Sequence, residues 1–473
     1  MAEDLSFGTD GWRDVIADQF NFSNVGRVAR AISGYFNRYF NEPAIAIGYD
    51  SRFLSEYFAA LTYSIAKTEM KEVLLSDRFI TSPTLSNYIH KNGLSGGIMI
   101  TASHNPYKYN GLKMKSASGG SAGLEEIRKV EQILHGVSDN ADYDFFRAED
   151  ALKSATTVDM LTDYLITLFS RFKRRMAEDS GLKVLADPIF GASSQVLPLV
   201  LAEAGCSVSV INEKRDPMFG DLNPEPIEKN IFDLVCEVKK GGFDFGVALD
   251  GDGDRIGLVD EQGRFINSHQ IIALCLQYLF ERKRLKGRVI KTVSTSSQIS
   301  RMAEVYGLDL VETPVGFKYI AEEILKGGVL IGGEESGGIW AGHLIPERDG
   351  IFISLLVAEM LIESQESLGS LFGRLTERFG LYYYDREDIE LTSEQKESLK
   401  KFLSSKDKVH VDGKELELLN DCDGYKYIFT DGDWLMFRLS GTEMVLRIYA
   451  ESQDRDVLSS MMKYALSIAK GEI

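Results

Sequence analysis

The chain has 473 residues, which is too long for one hydrophobic core and predicts three or four domains of about 100–200 residues each. Its 44% hydrophobic and 26% charged residues are typical of a soluble globular protein. The formal net charge of −18 argues against a nucleic-acid partner, because phosphate backbones bind basic surfaces. A local arginine cluster can still bind a small phosphorylated ligand, since salt screens charges over about 8 Å.

Cysteine usage and hydropathy bear on the compartment. The amino terminus lacks the basic and apolar regions of a signal peptide, and the longest uncharged apolar stretch, 271–280, is too short to span a bilayer. The cysteines, at positions 206, 236, 275 and 422, lie far apart, which argues against a zinc site or a disulfide framework. We therefore expect a cytoplasmic protein in a reducing compartment, without a membrane partner.

Strands and helices alternate over the first hundred residues, after a turn-rich segment at Phe7–Arg13. The pattern predicts strands at 44–48, 73–75 and 98–100, and helices at 53–68 and 83–90. Such alternation is typical of a parallel sheet covered by helices.

The third of these strands runs into the loop Thr101–Pro106, which holds Ser103 at the strand's carboxyl end. Open α/β sheets bind their ligands at that end. A hydroxyl followed by the imidazole of His104 is a plausible nucleophile with a proton carrier. Taken alone, however, the loop is better explained as an ordinary turn, since Ser, His, Asn and Pro are all common in turns.

The same alternation of elements recurs twice. The second unit has predicted strands at 182–186, 206–211 and 245–249, and the third has them at 288–293, 308–311 and 329–331. The last strand of each unit ends in a loop rich in glycine or small polar residues, Asp250–Arg255 in the second and Gly332–Gly338 in the third. We infer a structural repeat, although the sequence identity among the units is negligible.

The loop of the second unit is the strongest metal candidate. Asp250, Asp252 and Asp254 can converge on one hard cation, and their oxygen-only character favours Mg²⁺. A calcium-binding EF-hand loop is the competing interpretation, and Glu261 falls at its last ligand position. Its obligatory glycine is Arg255 here, however, and the flanks are predicted strands rather than helices. A merely acidic turn is the weaker alternative, because three like charges repel without a counter-ion.

The last hundred residues have a different pattern. Predicted strands at 389–391, 425–430, 434–439 and 445–450 precede a predicted helix at 456–470, with a hairpin signal at Asp431-Gly432. This pattern predicts an α+β domain with antiparallel strands. Its loop Arg438–Glu443 combines an arginine, hydroxyls and a glycine amide, which suits a phosphate ligand.

Other polar residues are ambiguous when taken singly. Glu334 and Ser336 could bind sugar hydroxyls, but a tight turn explains their glycine-rich loop equally well. Taken singly, the others favour ordinary roles. Gly316 and Lys318 are more typical of a helix start, Lys113 of a solvated lysine and His104 of a histidine in a turn. His343 and Arg348 are weaker site candidates still.

Five segments, in this order, together resemble the signatures of the α-D-phosphohexomutases: Phe7–Arg13, Thr101–Pro106, Asp250–Arg255, Gly333–Gly338 and Arg438–Glu443. The resemblance covers the whole chain. It implies three similar α/β domains with mixed or parallel sheets plus a C-terminal α+β domain, arranged around a central cleft. The implied domains are 1–150 (phosphoserine-bearing), 151–260 (metal-binding), 261–378 (sugar-binding) and 379–473 (phosphate-binding).

The resemblance also implies roles for individual residues. It implies a phosphoserine at Ser103 and Mg²⁺ held by that group with the three aspartates of the second unit. Arg13, His104 and Lys113 are the implied catalytic neighbours of the transferred phosphoryl group, with Lys113 a candidate general base or acid. The implied substrate-binding residues are Arg255, Gly316, Lys318, Glu334, Ser336, Arg438, Ser440, Gly441, Thr442 and Arg447.

The implied activity is that of an isomerase in the phosphoglucomutase branch. It would interconvert glucose 1-phosphate and glucose 6-phosphate, with glucose 1,6-bisphosphate as intermediate and activator. Gly338 stands where branches acting equally on mannose and glucose phosphates often carry histidine, and 313–318 and Pro346–Gly350 look like the glucose branch. The glucosamine branch fits less well at this loop. Asp14 departs from the glycine that often follows the first-loop arginine.

Three alternatives remain open. The enzyme could be a phosphomannomutase or a dual-specificity mutase. It could be a Mg²⁺-dependent sugar-phosphate phosphatase, although a hydrolase gains little from a second phosphate site. It could be a non-catalytic phosphosugar-binding relative, although no expected nucleophile or ligand is missing. We expect hexose phosphates as the partners of a monomer or homodimer.

Overall fold

The computed structural model describes residues 5, 7, 8, 10–138, 143–172, 180–342, 345–404, 409, 411, 413–440 and 444–472. Within these residues no helix is both long and apolar enough to cross a lipid bilayer. The fold has four β-sheets, three of them mixed and flanked by helices, and a fourth that is antiparallel. The predicted fold class is confirmed.

The first sheet has six strands in the spatial order β1-β5-β4-β2-β3-β6. Its strands are β1 (Trp12–Val15), β2 (Ala44–Tyr49), β3 (Glu72–Ser76), β4 (Gly96–Ile100), β5 (Tyr109–Lys115) and β6 (Thr157–Val158). Its helices are α1 (Phe22–Tyr39), α2 (Ser55–Glu69), α3 (Ser82–Lys91), α4 (Leu124–Leu134) and α5 (Phe145–Ser154). β4 is completely buried and apolar, as a strand covered on both faces must be.

The second sheet has five strands in the order β11-β10-β9-β7-β8. Its strands are β7 (Lys183–Asp187), β8 (Ser207–Val210), β9 (Phe245–Leu249), β10 (Ile256–Asp260) and β11 (Phe265–Ile266). The helices of this part of the chain are α6 (Met160–Arg171), α7 (Leu197–Glu203) and α8 (Phe232–Lys239).

The third sheet has four strands in the order β13-β12-β14-β15. Its strands are β12 (Arg288–Thr292), β13 (Leu310–Thr313), β14 (Val329–Gly333) and β15 (Ile339–Ala341). Its helices are α9 (Ser268–Gln277), α10 (Ser297–Tyr306), α11 (Phe317–Leu325), α12 (Gly350–Ser364) and α13 (Leu368–Phe379). One large apolar cluster joins helices and strands of the second and third units.

The three mixed sheets repeat one topology. Each contains the order β5-β4-β2-β3, or its equivalents β10-β9-β7-β8 and β15-β14-β12-β13. In each, three parallel strands are followed by one antiparallel strand, and the candidate loop joins the last parallel strand to it. The predicted structural repeat is confirmed, while the antiparallel strands were not predicted.

The fourth sheet is antiparallel, in the order β16-β20-β19-β18-β17. Its strands are β16 (Tyr383–Glu390), β17 (Leu416–Asn420), β18 (Tyr425–Phe429), β19 (Trp434–Leu439) and β20 (Val445–Ser452). Its helices are α14 (Ser393–Leu403) and α15 (Arg455–Lys470). The predicted hairpin joins β18 to β19, and the predicted α+β pattern of this part is confirmed.

The fourth sheet packs on the third through an apolar cluster with polar edges. Val293, just after β12, packs in a cluster with Trp434. The indole N–H of Trp434 donates to Glu451 Oε1 at 2.8 Å, and that oxygen also accepts the N–H of the first residue of α10. Lys426 Nζ donates to the backbone oxygen of Val293 at 2.7 Å. These contacts hold the fourth sheet against the third.

Candidate active site

Ser103 lies at the carboxyl end of β4, completely buried. Its backbone has a φ of +51°, a left-handed conformation that is uncommon for residues other than glycine. Its N–H donates to Thr101 Oγ1 at 2.9 Å, and its hydroxyl donates to Asp250 Oδ2 at 2.6 Å. The first unit therefore presents the serine hydroxyl directly to the acidic loop of the second.

The serine loop and the acidic loop touch backbone to backbone. A Cβ at Gly251 would lie 2.5 Å from the carbonyl oxygen of Ser103, so only glycine permits this approach. Ser82, at the start of α3, donates two hydrogen bonds to Asp252. Its backbone N–H donates to Asp252 O at 2.9 Å, and its hydroxyl donates to Asp252 Oδ2 at 2.6 Å. The relative position of Ser103 and the carboxylates is therefore fixed by close packing.

Asp250, Asp252 and Asp254 form the carboxylate cluster in the β9–β10 loop. All three are completely buried, and one oxygen from each lies within 4.8 Å of the other two. Burial and the neighbouring carboxylates of Asp254 and Asp252 raise the pKa of Asp250 well above its usual range. Among the described residues, Asp252 Oδ1 and Asp254 Oδ1 have no hydrogen-bond partner. Buried, unpartnered carboxylate oxygens at this spacing fit a small hard cation such as Mg²⁺.

Lys113 lies on β5 and is almost completely buried, so the interpretation as a solvated lysine was wrong. Its Nζ lies 2.9 Å from Asp252 Oδ2, 3.2 Å from Asp254 Oδ2 and 3.0 Å from Asp10 Oδ2. Burial lowers the pKa of Lys113, but the three carboxylates outweigh it and raise the pKa above the usual range. The ammonium group therefore stays charged beside the cluster.

His104 follows Ser103 and lines the cleft. Burial, Arg255 and Arg13 lower the pKa of His104 well below its usual range, so the imidazole is neutral. Its Nδ1 has no hydrogen-bond partner within the described part of the chain. Arg13, on β1, donates from Nη1 to the side-chain oxygen of Asn105 at 2.9 Å, which brings its charge to the same loop.

A central cleft of about 720 Å³ opens beside the serine loop, where His104 and Asn105 line it, and it has walls from loops of all four sheets. Ten predicted residues line it: Arg13, His104, Arg255, Gly316, Lys318, Glu334, Ser336, Arg438, Ser440 and Arg447. Ser103, Lys113 and the aspartates lie buried at the same loops, as their contacts show. Gly441 and Thr442 lie outside the described residues, as does His343.

Arg348 was underestimated from the sequence and lies at the centre of the site. Its guanidinium group contacts Asp254 Oδ2 at 2.8 Å, Glu334 Oε1 at 3.1 Å and Asp10. It therefore joins the acidic loop Asp250–Arg255, the candidate sugar loop Gly333–Gly338 and Asp10 of the turn-rich first segment. The signal was present in the polar segment Pro346–Gly350, but its distance in sequence from the other motifs concealed the contact.

The candidate sugar loop is bonded to the acidic loop and packs closely against Arg348. Ile256 N–H donates to Gly337 O at 3.1 Å, and a Cβ at Gly338 would lie 2.6 Å from Arg348 Cδ and 2.7 Å from Glu334 Oε1. Burial raises the pKa of the Glu334 carboxyl, an effect that Arg348 partly opposes. A larger residue at position 338 would displace Arg348 from its present place.

The fourth sheet contributes a cluster of cations to the far wall of the cleft. Arg438 Nε donates to Asp423 Oδ2 at 2.8 Å, and the same carboxylate oxygen accepts Val315 N–H at 2.9 Å. This carboxylate therefore ties Arg438 to the loop before α11. Arg386, on β16, also lines the cleft and was not predicted. Basic side chains from all four units, among them Arg13, Arg255, Lys318 and Arg438, thus line one cavity in an acidic protein.

Comparisons with known proteins agree with this geometry. Profiles of the four phosphoglucomutase/phosphomannomutase domains match in order: alpha/beta/alpha domain I at 4–141, domain II at 162–263, domain III at 267–379 and the C-terminal domain at 393–465. The chain is 31% identical over 471 residues to the phosphoglucosamine mutase of Caldicellulosiruptor saccharolyticus, covering 98% of this chain and 99% of the relative.

Two further relatives carry different names. The phosphoglucomutase/phosphomannomutase of Thermococcus kodakarensis is 28% identical, with 98% of each chain covered. A candidate phosphomannomutase from Thermus thermophilus has a crystal structure that matches with a TM-score of 0.85 at 31% identity, covering 99% of this chain and 100% of that one. The names agree on phosphohexose chemistry and differ in the hexose.

Proposed function

The chain belongs to the α-D-phosphohexomutase superfamily and is a phosphohexomutase, and on that premise we propose that it interconverts glucose 1-phosphate and glucose 6-phosphate through a phosphoserine at Ser103. The observation that carries the proposal is the buried Ser103 hydroxyl, 2.6 Å from a carboxylate cluster at the base of a cationic cleft. A serine so placed suits a phosphoryl carrier, because the groups around it compensate phosphate charge.

In the proposed forward step, the phosphoryl group leaves Ser103 Oγ and bonds to a free hydroxyl of the bound hexose phosphate. Ser103 Oγ then accepts the phosphoryl group at the other end of the bisphosphate, which regenerates the enzyme. The three aspartates and the phosphoryl group on Ser103 would hold Mg²⁺, which would neutralise charge on the transferred group. Lys113 and Arg13 contribute fixed positive charge at the same point.

The attacking sugar hydroxyl must lose a proton. Lys113 Nζ is surrounded by three carboxylate oxygens, so its N–H groups all have acceptors and it is poorly placed to take a proton. His104 lies at the cleft beside Ser103, and its Nδ1 is without a partner in the described chain. We assign the proton transfer to His104, which takes the proton of the attacking hydroxyl and passes it to the departing Ser103 Oγ, with Lys113 as the fixed cation.

The cations of the fourth sheet support a bisphosphate intermediate that reorients within the cleft. In either orientation of the bisphosphate, one phosphate reacts at Ser103 and the other needs a second site. Arg438, Ser440 and Arg447 line the wall contributed by the fourth sheet and suit that phosphate. A phosphatase gains little from such a site, so this wall favours the mutase.

The preference for glucose rests on the sugar loop. Gly338 leaves room for Arg348, which contacts Glu334 at 3.1 Å, whereas the histidine of dual-specificity branches would need that space. Glucosamine phosphate is the second candidate, because the C. saccharolyticus relative is named for it. Mannose phosphate is the third, given the names of the other two relatives.

A coupled assay tests the proposal. The purified protein is given glucose 1-phosphate, glucosamine 1-phosphate or mannose 1-phosphate, with Mg²⁺ and a trace of the matching 1,6-bisphosphate. We expect the highest kcat/KM with glucose 1-phosphate and no release of inorganic phosphate at a matching rate. A higher value with another hexose would reassign the substrate, and phosphate release equal to substrate loss would indicate a hydrolase.

A further inference from the structure

A second cavity, of about 770 Å³, lies in the third α/β unit and shares no lining residue with the cleft. Residues of α9, α10, α12 and α13 line it, together with the π-helical turn Tyr278–Arg282 that continues α9. Its volume lies within the range of about 300–1,000 Å³ that is usual for small-molecule sites. Nothing in the proposed reaction uses this cavity.

Part of the lining of this cavity is apolar and aromatic. The lining residues Leu274, Met360 and Leu371 are buried, and they present aliphatic and thioether surface. On another part of the lining, the rings of Phe280 and Tyr306 stack with their centroids 4.3 Å apart and their planes 23° apart. Such a lining suits the flat, apolar body of a ligand.

The charged part of the lining is basic. Four arginines are set against two glutamates, on a chain whose net charge is −18. Arg374 pairs with Glu366, and Arg378 pairs with Glu281. The exposed side chains of the other two, positions 282 and 284, form no hydrogen bond or ion pair with any residue that the structure describes. Two guanidinium groups are therefore free to bind an anion.

The backbone at this rim is also unusual. A π-helical turn is rare and often marks a functional site. Arg284 has a φ of +56°, the left-handed region that disfavours a side chain. Compensation of the helix dipole would explain Arg282 in the last turn, but not Arg284 beyond the helix. A binding role explains both.

We propose that this cavity binds a nucleoside polyphosphate, with the base against the apolar and aromatic lining and the phosphates on Arg282 and Arg284. Arginine is suited to phosphate because its planar fork of N–H groups can donate two bonds at once. The stacked pair offers its ring edges and the face of Phe280 to a base, since Arg378 already lies over the Tyr306 ring, 5.6 Å from its centroid. A bare polyphosphate could not use these surfaces. The site is separate from the phosphohexose cleft and independent of its substrate.

Isothermal titration calorimetry of the full chain tests the proposal. The cleft is first saturated with glucose 1,6-bisphosphate and Mg²⁺, and ATP or inorganic tripolyphosphate is then added. We expect ATP to bind with a stoichiometry of one, at least about tenfold more tightly than tripolyphosphate. The double variant Arg282→Glu/Arg284→Glu should weaken ATP binding at least about tenfold without changing mutase turnover.

A variant of equal charge change distinguishes binding at this cavity from a general effect of net charge on ATP affinity. Arg455 and Lys463 are exposed on α15, far from the cavity in sequence and element, and Arg455→Glu/Lys463→Glu changes the net charge equally. This variant should bind ATP like the parent protein. No ATP binding, equal affinity for tripolyphosphate, or equal weakening in both double variants would overturn the proposal. If the cleft fails to bind bisphosphate, the same variants still test the cavity.

Discussion

Arg52 Nη2 donates a hydrogen bond to the backbone oxygen of Ser103 at 2.5 Å. The guanidinium group is completely buried, and it also donates to the backbone oxygens of Asn105 at 2.7 Å, Pro106 at 3.1 Å and Tyr109 at 3.0 Å. One side chain thus binds three carbonyls of the serine loop and one at the start of β5. The left-handed backbone of Ser103 is held in place by these bonds, since such a conformation needs support from its surroundings.

We expect Arg52→Lys to lower kcat by about tenfold to a hundredfold with little change in KM, because small misplacements of a reacting group are costly. Lysine keeps the charge but cannot reach four carbonyls. Arg215→Lys is the matched control, since Arg215 donates to the neighbouring carbonyls of Ser51 and Arg52 but not to the serine loop. Steady-state kinetics and melting curves of both variants check this. An equal loss of kcat in both would mean that the serine loop is positioned by something else.

Ser103→Ala should lower kcat by a factor on the order of 10³ or more and abolish phosphoryl loading, because alanine has no hydroxyl to carry the phosphoryl group. Incubation with glucose 1,6-bisphosphate followed by intact-mass analysis should show one added phosphoryl group on the parent protein and none on the variant. Ser118→Ala, on a loop outside the cleft lining, is the control and should still be loaded. Loading of Ser103→Ala at the parent level would remove Ser103 from the mechanism.

The local chemistry of the site could be predicted from short sequence patterns, since Ser103, the aspartates and the Arg438 loop each lie within one motif. Lys113 and Arg348 could not be placed this way, because their burial depends on partners far away in sequence: Lys113 faces carboxylates of the second unit, and Arg348 meets Asp10. A charged residue is usually exposed, and only the three-dimensional pairing reverses that expectation.

The fold, too, could be predicted where the signal is local and not where it depends on distant partners. Parallel strands such as β4 were predicted because both faces are buried and the sequence is continuously apolar. β5, which carries Lys113, has the alternating sequence Tyr-Asn-Gly-Leu-Lys-Met-Lys, and its lysines concealed a buried strand. The ion pair of Lys115 with Glu347 compensates the second of these charges. Domain boundaries at 150, 260 and 378 stay a prediction.

Mg²⁺ should stabilise the folded protein as well as support turnover. Binding to the native state alone raises its stability in proportion to the logarithm of ligand concentration, and the three buried carboxylates repel one another without a cation. We expect millimolar MgCl₂ to raise Tm by several degrees and EDTA to abolish turnover reversibly. Asp254→Asn should lose the Tm response, while Asp187→Asn, in the same sheet but outside the cluster, should keep it. A Tm response in Asp254→Asn equal to the parent's would contradict the assigned ligands.

Arg438→Ala should raise KM by about tenfold or more and change kcat less, because Arg438 would bind the phosphate that is not reacting. The guanidinium group lies in the cleft wall and bonds to Asp423, whose carboxylate would remain to repel phosphate in the variant. Arg455→Ala, exposed on α15, is the control for loss of one positive charge. Initial rates over a range of glucose 1-phosphate check the split. An unchanged KM would remove the fourth sheet from substrate binding.

Lys426 should make the stability of the protein depend on pH in alkaline solution. Burial and the charge of Lys291 lower the pKa of Lys426 to about 7, against 10.5 for an ordinary lysine. Between about pH 7 and 10.5 the unfolded chain therefore binds more protons at this residue than the folded one, and its contribution to stability rises with pH. Below pH 7 the folded state holds a buried charge at its full cost.

Lys426→Met should therefore stabilise the protein most below pH 7, and the advantage over the parent should shrink as the pH rises towards 10. The difference between pH 6 and pH 10 should be on the order of a few kcal/mol, since one pKa unit corresponds to about 1.4 kcal/mol. The lost bond to Val293 O and the lost contact with the Trp434 ring, 4.1 Å away, lower the variant's stability at every pH and leave the trend intact. Urea unfolding monitored by tryptophan fluorescence at several pH values measures it, with exposed Lys463→Met as the control. A variant-minus-parent difference that is flat with pH would show that Lys426 keeps an ordinary pKa, and that the junction of the third and fourth sheets tolerates its charge.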